Sequence, residues 1–143
     1  HLTAQAPDGR TWVQQRALDK PNDPGLWDTL MGGMVSAADT LAQALERETW
    51  EEAGLRLEQL QGLAHAGHLV IRRPSGGADT VGYTVECIDW YRATLPEGVV
   101  PENQDGEVER FDCVDHGRLR ADIAAGCYTL EAALILAPDL TAP

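Results

Sequence analysis

The strongest constraint on this chain is a helical segment with carboxylates on its core-facing side: Ala44–Leu55, ALERETWEEAGL. With about 100° of rotation per residue, Leu41, Ala44 and Leu45 define an apolar face. Three glutamates fall in the same sector, at relative positions i, i+3 and i+4: Glu48, Glu51 and Glu52. Carboxylates at this spacing repel one another, and each is costly to ionise beside a core. The only cation within the segment is Arg47.

A bound cation explains this arrangement better than a solvent-exposed helix face does. A run of glutamates usually marks a solvated face, but here the run continues the apolar stripe. Hard divalent cations such as Mg²⁺ prefer carboxylate oxygens as ligands. We therefore interpret the three glutamates as a metal-binding cluster.

The segment from Gly33 to Leu55 resembles the Nudix box. That motif reads Gly, five residues, Glu, seven residues, Arg-Glu, an aliphatic residue, any residue, Glu-Glu, any residue, Gly and an aliphatic residue. The positions that match are Gly33, Arg47, Glu48, Glu51, Glu52, Gly54 and Leu55. Asp39 stands in place of the first glutamate, and Thr49 in place of the aliphatic residue. The resemblance implies a Nudix fold and hydrolysis of a diphosphate linked to another moiety, X.

The resemblance also implies a role for each matched residue. The three glutamates and the backbone carbonyl of Gly33 would bind Mg²⁺ or Mn²⁺. Glu48 or Glu52 would orient or deprotonate the attacking water, and Arg47 would hold a glutamate in place by a salt bridge. The metal would lower the pKa of that water and neutralise charge on the bridging oxygen.

A late acidic loop, Glu102–Val108, is similar to the source of a further metal ligand in MutT-type Nudix enzymes. Glu102 is the first candidate for this ligand and Glu107 the next. The alternative is that the loop is acidic only because it is exposed to solvent.

The segment before the box, Arg16–Gly33, resembles the corresponding segment of isopentenyl-diphosphate isomerases and their Nudix relatives. That resemblance makes Arg16 and Lys20 candidates for binding a substrate diphosphate, and Trp27 a neighbouring substrate contact. The alternative for the two cations is an ordinary surface role. The isomerase itself is disfavoured because Met31 stands near the position of its catalytic cysteine.

Two further segments, 95–111 and 126–136, resemble the Nudix domain associated with thiamine pyrophosphokinases and the region called DUF4743. This resemblance implies thiamine diphosphate or an oxidised analogue as the substrate. Nucleotides and nucleotide sugars are the alternative substrates within the enzyme class. A non-catalytic Nudix module that binds or regulates a partner is the alternative of another class, and its usual loss of box glutamates is not seen here.

The bulk properties indicate one domain over residues 1–143, with monomer or homodimer left open. The net charge of −12 disfavours nucleic acid and anionic membrane surfaces as partners, since both repel such a protein. A small-molecule diphosphate is therefore the expected partner. Three cysteines without CxxC spacing indicate reduced thiols in the cytoplasm. Because the chain starts at His1 and not at Met, we expect that an N-terminal region precedes it.

The pattern of strands and helices predicts an α/β fold, an α/β/α sandwich with a mixed β-sheet. A hairpin is expected around PDGR (7–10), one long helix over 36–54, two strands joined by the turn 74–79, a strand over 107–114 and two C-terminal helices. Ser36 or Asp39 is the candidate N-cap of the long helix, and Gly54 its C-terminal stop. Strand alternation places His65 and His68 on opposite faces, which argues against a shared metal.

Overall fold

The computed structural model describes residues 1–77 and 80–140. Its strands are β1 (Leu2–Gln5), β2 (Thr11–Arg16), β3 (Trp27–Asp28), β4 (Gln61–Gly77), β5 (Thr80–Thr94) and β6 (Val108–Val114). Its α-helices are α1 (Leu41–Ala53), α2 (His116–Ala124) and α3 (Leu130–Leu136), with 3₁₀ turns at Leu57–Gln59 and Ala137–Leu140. None of the helices in these ranges is long and apolar enough to cross a membrane.

The sheet is mixed, and β2 lies at its centre. The strand order is β3-β2-β1-β5-β4, with β6 also paired to β2. The pairing of β1 with β5 is parallel, and the other pairs are antiparallel. Because β6 covers β2 along its length, β1 and β3 must share the opposite edge of β2. On that edge, β1 pairs with β2 at Trp12 and β3 pairs with β2 at Gln14, so the partner strand changes between these two residues.

Helices cover both faces of the sheet, because side chains alternate along each strand. On one face, Leu2 and Ala4 of β1 pack with Leu45 and Ala53 of α1. On the other face, a second core joins β2 and β6 to α2 and α3; its buried members are Val13, Trp27, Val114, Leu119, Tyr128, Ala132 and Leu136. This arrangement confirms the predicted α/β/α sandwich.

The long helix begins later than predicted, because Thr40 is its N-cap and not Ser36 or Asp39. The Thr40 hydroxyl accepts a hydrogen bond from the Gln43 N–H, and Gln43 Oε1 accepts one from the Thr40 N–H. This reciprocal pair is a capping box. The predicted stop is confirmed, since Gly54 has a φ of 62°, in the left-handed region that favours glycine.

A β-bulge brings two histidines to the same carboxylate, which makes the predicted opposite placement wrong. The register between β4 and β5 shifts between His65 and Gly67, so simple alternation fails there. His65 Nε2 and His68 Nδ1 lie 2.8 and 3.5 Å from the two oxygens of Asp89. Within the segment predicted as a turn, 74–79, residues 74–77 belong to β4, and residues 78 and 79 lie outside the described residues.

Two threonines of the long helix are expected to respond oppositely to substitution by valine. The Thr49 hydroxyl is fully buried, and no described residue hydrogen-bonds to it. Thr49→Val removes this unsatisfied group and is expected to raise the free energy of unfolding by about 1 kcal/mol. Thr40→Val removes the cap and is expected to lower it by about 1 kcal/mol.

Thermal unfolding checks both changes, with a shift of about 3 °C in Tm expected for each. A lower Tm for Thr49→Val would show that its hydroxyl does have a stabilising partner.

Candidate active site

The three glutamates of α1 differ sharply in exposure. Glu52 is only 3% exposed, although it is a charged residue type. The side chain of Glu48 is 15% exposed and that of Glu51 is 43% exposed. Glu52 therefore lies in the core, Glu48 at its border and Glu51 nearest to the solvent.

Glu52 is bonded to β2 and to the loop that follows β3. Its Oε2 atom accepts hydrogen bonds from Gln14 Nε2 at 2.9 Å and from the Gly32 N–H at 3.0 Å. Burial raises the pKa of Glu52 to about 7, and these two hydrogen bonds oppose the shift. The nearby charges of Asp28 and Glu48 raise the pKa further. An ionised Glu52 is thus poorly compensated by the protein.

Arg47 connects the other acidic residues of the box. Its Nη1 atom donates to Glu48 Oε1 at 2.6 Å and to Glu51 Oε2 at 3.2 Å. Its Nη2 atom donates to Asp39 Oδ2 at 3.0 Å and to the Met34 carbonyl at 3.3 Å. The planar guanidinium suits this role because it directs several donors at once. Arg47 thereby fixes the loop before α1 to the helix.

Gly33 lies directly against the Glu48 carboxylate. A Cβ atom added at Gly33 would lie 2.3 Å from Glu48 Cδ and 2.5 Å from Glu48 Oε2. A larger residue therefore could not occupy this position without moving the carboxylate. Burial raises the pKa of Glu48, while its contact with Arg47 opposes the shift.

This donor set suits a hard divalent cation. Its groups are carboxylates with a backbone segment beside them, and one arginine faces several of these carboxylates. Over residues 1–77 and 80–140, however, no three His, Cys, Asp or Glu side chains converge as metal ligands. Arg47 bonds to one oxygen each of Glu48 and Glu51, which leaves the second oxygen of each carboxylate for a cation. The residues fit the metal in chemical type, and their convergence would accompany binding.

The late loop places Glu107, and not Glu102, beside the cluster. The main charges that act on Glu48 include Glu51 and Glu107. Glu102 is exposed, and its N–H donates to the Ala53 carbonyl at the end of α1. The placement favours Glu107 as the loop acid, whereas the metal role of Glu102 stays a prediction.

The two predicted diphosphate-binding cations have different acidic partners. Lys20 forms an ion pair with Glu107, the loop acid whose charge acts on Glu48. Arg16 donates to the Asn22 carbonyl, and its Nη1 lies 3.8 Å from Asp28 Oδ2. The acidic partner of each cation also raises the pKa of one box glutamate, Glu107 that of Glu48 and Asp28 that of Glu52.

Trp27 does not offer the substrate-stacking surface that was predicted. It is 7% exposed and packs in the second core. The guanidinium groups of Arg110 and Arg118 lie over its ring, 5.2 and 5.8 Å from the centroid. Trp27 therefore packs in the core of this structure. Backbone hydrogen bonds between Arg16 and the preceding residues Gly25 and Leu26 hold this segment against β2.

Sequence reasoning missed three polar residues beside Glu52. Gln14 is 2% exposed and Asp28 is 3% exposed, so both are buried within the sheet. His1 Nδ1 contacts the Thr29 hydroxyl at 2.9 Å and lies 3.5 Å from Asp28, which raises the His1 pKa despite the opposing effect of burial. Alternation along β2 could have placed Gln14 on the same face as Trp12, but nothing in the sequence shows that α1 covers it.

Comparison with known proteins assigns the chain to a family. The profile of the NUDIX domain matches residues 2–130. Together with the box on α1 and the sandwich around it, this match shows that the chain belongs to the Nudix family. Nudix hydrolase 20, chloroplastic, from Arabidopsis thaliana is 31% identical over 103 residues, which are 72% of this chain and 26% of that protein. The chain thus spans about a quarter of the length of this curated relative.

Solved structures share the fold. The Deinococcus radiodurans protein DR0079 superposes with a TM-score of 0.71 at 18% identity, covering 96% of this chain and 79% of that one. The E. coli dihydroneopterin triphosphate pyrophosphohydrolase superposes with a TM-score of 0.65 at 22% identity, covering 93% and 87%. At these identities the likeness establishes the fold alone.

The raised pKa of Glu52 predicts a pH dependence of stability in metal-free protein. The carboxyl has a pKa of about 7 in the folded state and 4.5 as its ordinary value, so the folded state holds this proton more tightly. The contribution is fully present below about pH 4.5 and is lost as the pH rises through 7, for a total of about 3 kcal/mol. Glu52→Gln is expected to remove this decline.

Urea unfolding in EDTA at several pH values between 5 and 8 compares the two proteins. Glu46→Gln is the matched control, because Glu46 is exposed on the same helix. Curves of wild type and Glu52→Gln that run parallel across this range would contradict the assignment.

Proposed function

We propose that this Nudix domain is a metal-dependent hydrolase that cleaves the diphosphate linkage of a nucleoside-diphosphate-X type compound. The observation that carries the proposal is the burial of Glu52 beside Glu48, with no basic side chain bonded to its carboxylate in the described part of the chain. Burial of this kind costs stability unless it serves a ligand. A divalent cation supplies the missing positive charge.

The proposed ligands of Mg²⁺ or Mn²⁺ are Glu48, Glu51, Glu52 and the Gly33 carbonyl, with Glu102 or Glu107 from the late loop. When bound, the metal lowers the pKa of a water molecule and neutralises charge on the bridging oxygen. Glu48 or Glu52 orients that water and accepts its proton. Arg47 keeps Glu48 and Glu51 in place through the bonds described above.

Lys20 and Arg16 would bind the diphosphate of the substrate. In a chain with a net charge of −12, local cations are needed to attract an anionic substrate. Lys20 lies on the Glu107 side of the cluster, so its ammonium group can exchange that carboxylate for a phosphate oxygen.

We further propose thiamine diphosphate, or an oxidised analogue, as the substrate. The support is the resemblance of segments 95–111 and 126–136 to the Nudix domain associated with thiamine pyrophosphokinases. The first segment includes the late loop with Glu107, and the second includes α3. The three cysteines are free, which favours the cytoplasm as the compartment.

Loss of two box carboxylates is expected to abolish activity. Glu51→Gln with Glu52→Gln removes two of the proposed ligand charges and keeps the side-chain shapes, so turnover should fall by at least about 10³-fold. Substrate loss and product formation are followed by anion-exchange chromatography with about 5 mM Mg²⁺ on thiamine diphosphate, oxythiamine diphosphate, ADP-ribose and GTP, since ADP-ribose would give AMP and ribose 5-phosphate and no free phosphate. Glu46→Gln is expected to match wild type.

Each outcome of this experiment decides one part of the proposal. Preference for the thiamine compounds supports the substrate assignment, whereas preference for ADP-ribose or GTP overturns it. Turnover that persists in a correctly folded double variant removes the site assignment. Binding of these compounds without any hydrolysis would favour the non-catalytic module.

Lys20→Ala is expected to raise KM for the preferred diphosphate about tenfold and to leave kcat within about twofold. The reason is that Lys20 is proposed to contact the diphosphate in the ground state and the transition state alike. Arg10→Ala is the matched control, because Arg10 is also ion-paired but lies in the turn at the other end of β2. A KM equal to wild type would return Lys20 to a surface role.

A further inference from the structure

We propose that Gln14 is a positioning residue that fixes one oxygen of Glu52 and leaves the other oxygen for the metal. This inference rests on the proposed function and adds a residue outside the Nudix box. Gln14 lies in β2, where the partner strand changes from β1 to β3.

The geometry distinguishes the two oxygens of the Glu52 carboxylate. The two hydrogen bonds, from Gln14 Nε2 and from the Gly32 N–H, both reach Oε2. Two donors on one oxygen restrict rotation of the carboxylate group about its final bond. The Oε1 atom is thereby held in one direction, as a ligand oxygen should be.

The carbonyl oxygen of the Gln14 side chain indicates that packing alone does not explain a glutamine at this position. An ionised carboxylate accepts hydrogen bonds and cannot donate, so the amide nitrogen must face Glu52 and the carbonyl oxygen must face away. That Gln14 Oε1 atom is buried, and no described residue hydrogen-bonds to it. An apolar side chain would fill the position without leaving a buried acceptor unpaired. The amide is therefore explained by Glu52.

The neighbouring residue Gln15 supplies a natural comparison. Its side chain lies on the other face of β2, where Nε2 donates to the Gly25 carbonyl and Oε1 accepts from Arg110 Nε. Both ends of that amide are bonded within the protein. Gln14 and Gln15 are thus the same residue type on the same strand, and only Gln14 contacts the box.

Gln14→Met tests the proposal because methionine has a similar length and no hydrogen-bonding amide. Binding of Mn²⁺ alone, without substrate, is measured by electron paramagnetic resonance of the free ion. We expect the Mn²⁺ Kd to rise about tenfold and kcat to fall about tenfold, while the KM for the substrate stays unchanged. The Tm is expected to stay within the error of the measurement or to rise.

Three further variants keep the test decisive. Gln14→Asn retains the amide but is shorter, and is expected to show the same loss of Mn²⁺ affinity; it replaces Gln14→Met if that variant does not fold. Gln15→Met is the matched control and is expected to bind Mn²⁺ like wild type. In a Glu52→Gln background, Gln14→Met is expected to change the Mn²⁺ Kd less than about twofold, since the group that it positions has lost its charge.

The inference is overturned if folded Gln14→Met has the Mn²⁺ Kd and kcat of wild type, or if only its Tm falls. It is also overturned if the loss persists in full in the Glu52→Gln background. Failure of the proposed function would be seen separately, as turnover that survives in Glu51→Gln/Glu52→Gln.

Discussion

The burial of one carboxylate, Glu52, is the constraint on which the rest of the site depends. A charged group is buried between a helix and a sheet only where hydrogen-bond donors are present to receive it. Here the donors are the Gln14 amide, on the strand where pairing changes from β1 to β3, and the Gly32 N–H. The position of the Glu52 carboxylate therefore depends on α1, on β2 and on the loop that contains Gly32.

Around that buried group, charge is distributed very unevenly. Arg47 satisfies Asp39, Glu48 and Glu51 on the solvent side of the helix, but no basic group bonds to Glu52 in the part of the chain described here. The protein therefore pairs the carboxylates of Asp39, Glu48 and Glu51 with a positive charge, but not that of Glu52. The proposed divalent cation would supply the positive charge that Glu52 lacks.

Much of this could be predicted from the sequence, because helical periodicity is local. The sector shared by Leu45 and Glu52 follows from counting residues, and the stop at Gly54 follows from its conformational freedom. The burial of Gln14 and Asp28, and the core position of Trp27, depend on which strands pair and which helix covers them. The His65 and His68 arrangement depends on a bulge, which shifts the alternation that a sequence can show. These features are non-local, so short-range patterns could not reveal them.

The two adjacent glutamines of β2 have a consequence for folding. Because side chains alternate along a strand, a slip of β2 by one residue would exchange the faces of Gln14 and Gln15. Such a misaligned molecule would retain a sheet, but its amide would point at the wrong helix layer. Metal affinity would then report strand register, so binding of the ion could serve as a quality test for correctly assembled molecules.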